Sequence, residues 1–364
     1  MPFAKAAAML SSFTHTSVSE SSAQRLTEAI GLAYEAVQLA EVERIELEWP
    51  EVEPGPDKLI LSLDGAFVPL LHSEWAEVKT LVVGEVAEPR VVEGKTVVST
   101  QCHSYFSRLA EAEQFQRLTL GELYRRRLET AEQVATVSDG AEWIQGWIDF
   151  HCPHATRILD FPHAAQRICQ IGEAVLGAEH ASLRAWQTRQ LHLLKHDDPQ
   201  ALLESLRTFA AQHLTVPVVA ENLAYLEKRL SQMQYRHFQA EGWPIGSGIV
   251  ESANKLVVEV RLKGAGMHWS RLSVNGMLAL RNAVCNDRWA EAWQQSSMRI
   301  RQVGMVRRPV EPKCVTATPA PPAAPDEPQV EQTRVEKEPA IHPWRRTNYA
   351  TKARLAEAKS QARM

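Results

Sequence analysis

The chain has 364 residues, 45% of them hydrophobic, with 40 Lys and Arg against 44 Asp and Glu. That length supports one large domain or two ordinary ones with a sizeable core, and no apolar run of 18 residues exists to predict a membrane span. The mild acidity is unlike that of a general polyanion binder, but it averages two opposed stretches: residues 19–57 hold ten Asp and Glu against two Lys and Arg, whereas residues 251–314 hold eleven Lys and Arg against five Asp and Glu.

A polyanion would be drawn to the second stretch. The five cysteines are scattered without a Cys-x-x-Cys pair, which speaks against a cysteine zinc site and against a disulfide framework. Residues 1–13 are weakly apolar and show no signal-peptide cleavage site, so a cytoplasmic, nucleoid-associated location is expected.

In chain order, residues 2–12 read as a short helix. Ser19 then caps a long one, with Ala23, Leu26, Ile30, Ala33, Val37 and Ala40 on its apolar face. This segment, 1–50, is either a packing helix or the remnant of a DNA-binding region. Pro50, Pro54, Gly55 and Pro56 break the chain. Strands are predicted over 58–70, 76–86 and 96–106, a helix over 107–131, a fourth strand over 133–139, a helix over 140–150, and a fifth strand over 156–160 followed by a helix.

The order β-β-β-α-β-α-β-α resembles that of a ribonuclease-H-like α/β fold with a mixed sheet, its first part spanning 58–172. In that fold the first and fourth strands are neighbours. Residues 173–240 carry no strand signal and read as an all-helical insertion. Residues 241–308 return to the core, and the Pro- and Ala-rich, partly basic 309–364 reads as a disordered tail.

Three carboxylates stand out. Asp64 follows the apolar run Leu59-Ile60-Leu61-Ser62-Leu63 and precedes Gly65. A carboxylate beside so buried a run needs a cation or donors; the plainer reading is an Asp-Gly turn. Asp139 repeats the pattern at the end of the fourth strand, where it could equally be a helix cap. Glu251 opens a helix after Gly246-Ser247-Gly248, with Asn254 and Lys255 on the same face; a simple Glu–Lys pair is the alternative. Asp160-Phe161-Pro162-His163 closes the fifth strand and puts an Asp and a His one turn apart.

The segments DGAFVPL, EWAEVKTLVVGEV, VSDGAEWIQ, LDFPHA, WPIGSGIVESANKLVVEVRLKGAGMHWS and LALRNA resemble the DDE transposases of bacterial insertion sequences. The likeness is to the Kra-type group, which is related to the Mutator-like transposases. The resemblance spans about residues 4–289. It implies that Asp64, Asp139 and Glu251 are a metal-binding catalytic triad for Mg²⁺ or Mn²⁺, and that Asp160 and His163 form a supporting Asp-x-x-His motif.

The implied activity is DNA strand cleavage and strand transfer by two metal ions about 3.5–4 Å apart. The implied partners are transposon ends, target DNA and further copies of the chain, with no membrane and no small-molecule cofactor. Lys255, Arg261, Lys263, His268 and Trp269 fall in the same matched block and are candidates for DNA contact. Members of the group usually have more chain before the position matching Met1, including elements that bind transposon ends. The alternative expectation is therefore a transposition-defective DNA-binding or regulatory derivative, and a third is a structure-selective nuclease on the same fold.

Overall fold

The computed structural model describes residues 2–92 and 95–306; the predicted tail, 309–364, lies outside the described residues. The architecture is mixed α/β. Helices α1 (Phe3–Thr14) and α2 (Glu20–Glu48) lead into strands β1 (Lys58–Pro69) and β2 (Trp75–Val86). A small hairpin, β3 (Arg90–Val92) and β4 (Lys95–Val97), precedes β5 (Thr100–Arg108). Then come α3 (Ala112–Leu118), α4 (Leu120–Arg125), β6 (Gln133–Ser138), α5 (Glu142–His151), β7 (Thr156–Leu159) and α6 (Phe161–Leu176).

The helical stretch continues with α7 (Leu183–His196), α8 (Pro199–Phe209), α9 (Pro217–Lys228) and α10 (Tyr235–Ala240). Next, α11 (Gly248–Ala253) runs through a π-helical segment (Asn254–Glu259) into the single turn α12 (Val260–Leu262). The described chain closes with α13 (Arg271–Cys285) and α14 (Trp289–Val306). The segment up to Ser296 forms one compact unit.

The main sheet has the order β5-β2-β1-β6-β7. β1 pairs antiparallel with β2, and β2 with β5; β1 and β6, and β6 and β7, pair parallel. Leu59, Ile60, Leu61 and Leu63 of β1 are at most 1% exposed, because helices cover both faces of this central strand. Side chains alternate between those faces. Ile60, Ala135 and Val137 pack under α6 to α9, while Leu59, Leu61 and Leu63 pack with Phe115, Leu123 and Trp147 on the other side.

Four differences from the sequence reading have identifiable causes. Asp64-Gly65 is no turn, since β1 stays paired with β2 through to Pro69. The stretch read as one strand over 96–106 is two, the end of β4 and most of β5. The stretch read as one helix over 107–131 is two short ones that meet at Thr119. The Thr119 hydroxyl donates to Gln116 O and accepts from Trp147 Nε1 at 3.0 Å, so tertiary hydrogen bonds hold the break.

The fourth difference is in α2, where Ser19 caps as expected, accepting from Ser22 N. The inward face is Ala23, Gly31, Tyr34, Val42 and Ile45, while Leu26 is 65% exposed. Gly31 sets that face. A Cβ on it would stand 2.5 Å from Gly276 O, so the two glycines let α2 and α13 cross backbone to backbone. Among the described residues no helix is long and apolar enough to cross a membrane.

Candidate functional site

The parallel register brings the aspartates together. Ser62 is level with Val137 on β1 and β6, and Ser138 with Leu159 on β6 and β7. One or two residues further along the same paths, Asp64, Asp139 and Asp160 reach the same edge of three neighbouring strands. Alternation puts Asp64 with Ser62 and Ile60, and Asp139 with Val137, on one face. Ligands of such sheets bind at the carboxyl ends of parallel strands.

Each carboxylate is held by specific donors. Asp64 Oδ1 accepts from Gly65 N at 2.8 Å and Oδ2 from Asn254 Nδ2 at 2.9 Å. Asp139 Oδ1 accepts from Ala141 N at 2.9 Å, so Asp139 also serves the start of α5 as a turn residue. Asp160 is fully buried. Its Oδ1 accepts from Ser247 N at 2.6 Å, and its Oδ2 meets His163 Nδ1 at 2.6 Å. The ring of His163 stands 43% exposed.

These groups feel one another's charge. Burial pushes the Asp64 carboxyl above the ordinary carboxylate range, and the negative Asp139 adds to the rise. The hydrogen bond to Asp160 raises His163, helped by the charges of Asp160, Asp139 and Asp64. Burial works to raise Asp160 as well, but the bonds from His163 and Ser247 outweigh it and hold that carboxyl below its ordinary value. The cluster is thus an acidic edge faced by one imidazole whose protonated form it favours.

The loop before α11 ties the last helices to this edge. Phe161 N donates to Ile245 O and Ser247 N to Asp160, which fixes where α11 begins. Of the glycines in this turn only Gly242 has a positive φ, +76°; a Cβ at Gly246 or Gly248 would meet nothing closer than 3.9 Å. The π-helical segment then turns Asn254, Val257 and Val258 inward. Arg281 donates to the carbonyls of Leu256 and Val257, satisfying groups that the wide turn leaves open. Asn254 Oδ1 is buried without a partner among the described residues.

Glu251 sits one helical turn before Asn254 and is exposed. Its carboxylate stays outside the cluster, and the Glu251–Lys255 pair does not form among the described residues. Nor, among them, do any three His, Cys, Asp or Glu side chains group closely enough to hold a metal ion as arranged. Asp64 and Asp139 by themselves do suit a hard divalent cation: positive charge would relieve the Asp64 carboxylate, which burial and the neighbouring Asp139 disfavour, and Mg²⁺ takes one or two carboxylates with water and phosphate for the rest.

The candidate DNA-contact residues divide. Lys255, Lys263 and His268 are exposed, Lys263 pairing with Glu259 at 2.9 Å. Arg261 and Trp269 are buried against each other, and Trp269 Nε1 donates to Leu262 O.

Sequence reasoning missed the clamp from the helical insertion. Tyr225 donates its hydroxyl hydrogen to Asp139 O, Arg229 donates to Gly140 O, and Tyr235 donates to Leu159 O at 2.9 Å. Gly140 has φ +79°, and a Cβ there would strike the Arg229 side chain. No motif or spacing marked Tyr225 or Arg229 in advance. No known family model matches the chain, and no curated protein does.

Proposed function

We propose that the chain is a DDE-type transposase, a divalent-metal-dependent enzyme that cleaves DNA strands and transfers them, built on a ribonuclease-H-like core. The strand order β5-β2-β1-β6-β7, antiparallel through the first three strands and parallel through the rest, supports the fold. The observation that carries the function is the parallel register of β1 and β6, whose last pair, Ser62 with Val137, comes shortly before Asp64 on one path and Asp139 on the other, two carboxylates 75 residues apart in sequence.

In this reading Asp64 and Asp139 hold the cation, and Glu251, one turn from the Asn254 that already binds Asp64, supplies the third carboxylate. Bound Mg²⁺ or Mn²⁺ would activate the attacking hydroxyl and offset charge on the leaving oxygen. Asn254 orients Asp64 by holding Oδ2. Asp160 fixes the ring of His163 through Nδ1, so that Nε2 points a positive or donating edge at a phosphate. The remaining task is to position two DNA segments.

The test is cleavage and strand transfer on pre-nicked and hairpin DNA with Mg²⁺ or Mn²⁺. Asp64→Asn and Asp139→Asn should each cost several kcal/mol of transition-state stabilisation, about 10³-fold in rate, and Glu251→Gln should behave alike. Cleavage by Asp64→Asn at the unsubstituted rate would remove the reading.

A further inference from the structure

A second concavity lies away from the carboxylates. It is a cavity of about 370 Å³ between the N-terminal helices and the segment 266–273, a size suited to a small ligand. Trp269 N donates to Pro69 O and Leu71 N to Trp269 O, which ties this segment to the far end of β1. Leu70 is six residues beyond Asp64, roughly 20 Å at about 3.3 Å per residue.

One wall of the cavity is cationic. Arg261 is 8% exposed. Its guanidinium lies over the rings of Phe3 and Trp269, 4.7 and 4.8 Å from their centres. The rings offer the guanidinium aromatic faces but no acceptor for its N–H donors, and Arg261 lines the cavity. Among the described residues Arg261 has no hydrogen bond and no ion pair. Burial and the neighbouring Arg281 hold its pKa below the ordinary value, with no carboxylate acting to raise it. A buried cation without an anion is costly.

The same wall carries the start of α13, 15 residues long, whose Ser270 makes no side-chain cap. Ser270 and Ser273 at this helix start line the cavity, which places the positive end of the helix dipole beside it. The opposite wall is different in kind: Glu20, Gln24 and Glu28 line it from successive turns of α2. Two carboxylates there oppose a continuous polyanion, yet they suit a ligand with N–H donors at one end and one anionic group at the other.

We infer that this cavity is a second ligand site that takes a single nucleotide unit, its phosphate against Arg261 and the start of α13 and the N–H donors of its base toward Glu20, Gln24 and Glu28. A free nucleotide and a nucleotide at the end of a DNA strand present the same chemistry. The site does not depend on the carboxylate edge, so Asp64→Asn leaves it intact.

The experiment is calorimetric titration of the full chain, without divalent metal, with the four deoxynucleoside monophosphates, the matching nucleosides and a 5′-phosphorylated trinucleotide. At least one nucleotide should bind, and its nucleoside at least about tenfold more weakly. Arg261→Lys, which keeps charge and loses the fork, should weaken it by about tenfold or more. Ser273→Glu should do the same by repulsion while keeping the melting temperature. A trinucleotide that binds tighter than the monophosphate assigns a strand end, and the reverse assigns a free nucleotide. Equal affinity for nucleoside and nucleotide, indifference to both substitutions, or no binding of either probe at about 10 mM would overturn the proposal.

Discussion

At the scale of single residues the Asp160–His163 pair decides most. His163 is raised by its bond to Asp160 first and by the surrounding carboxylates second. A raised folded-state pKa means stabilisation fully present below the unfolded value, about 6.5, and lost as pH rises through the folded value. Asp160 is held low in the folded state, so its contribution is present above about pH 4 and fades as pH falls through the lowered value. The pair therefore stabilises most between about pH 4 and about pH 6.5, and less on either side.

NMR titration without divalent metal should place the midpoint of His163 above about 6.5, and Asp160→Asn should bring it back down. A midpoint in the folded wild type at or below that value would show that the pair is not formed. The ring is 43% exposed, so solvent screening keeps the energetic effect modest. Asp64 runs the other way: burial raises it despite the bonds from Gly65 and Asn254, so its ionisation weakens the fold until a cation answers the charge. The Asp-x-x-His spacing was legible in the sequence. The full burial of Asp160 and its bond from Ser247 were not, because the partner lies 87 residues away.

At the scale of elements, α13 explains how the outer edge of β5 stays closed. Asn275, Asn282 and Asn286 lie on one face of this helix and its C-terminal cap, and each bonds both backbone groups of one β5 or adjoining residue. Asn275 takes Leu109, Asn282 takes Ser107 and Asn286 takes Tyr105. A strand edge left open invites pairing with another chain, and here side-chain amides stand in for the missing strand. Asn282 is 1% exposed. Asn282→Ala removes two hydrogen bonds and strands a buried N–H and C=O, so it should cost about 2–4 kcal/mol. Urea unfolding measures this, and a loss under about 0.5 kcal/mol would show the ladder to be incidental. The sequence displays three asparagines at helical spacing, but nothing in it names β5 as their partner. The central strands were readable for the opposite reason. β1 and β6 are unbroken apolar runs, which burial on both faces demands whatever they pair with.

At the scale of the molecule the charge asymmetry takes on another meaning. Three arginines of the basic half are spent inside the fold. Arg288 pairs with the buried Glu122 at 2.6 Å, Arg281 serves backbone carbonyls, and Arg261 lies over two rings. The acidic half answers a different arginine, Arg125, through Glu41, joined there by Glu291. Net charge counted along the chain therefore overstates the pull on a polyanion.

The helical insertion has its own long-range part. It was recognisable by its lack of strand signal, but its reach back to the ends of β6 and β7 depends on packing of side chains far apart in sequence. If that clamp fixes Asp139, then removing a single hydroxyl should register in catalysis more than in stability. Tyr225→Phe takes away the bond to Asp139 O and keeps the ring that Arg167 and Arg229 flank at 4.4 and 4.0 Å. Its unfolding free energy should fall by only about 0.5–1.5 kcal/mol. Its metal-dependent cleavage rate should fall by about tenfold or more at saturating DNA, since a displacement of about 1 Å at a reacting group has effects of that order and above. Arg229→Met, which abandons Gly140 O as well, should lose more of both. Rates within about twofold of wild type for Tyr225→Phe, in a protein that still cleaves, would mean that the insertion packs beside the carboxylate edge without positioning it.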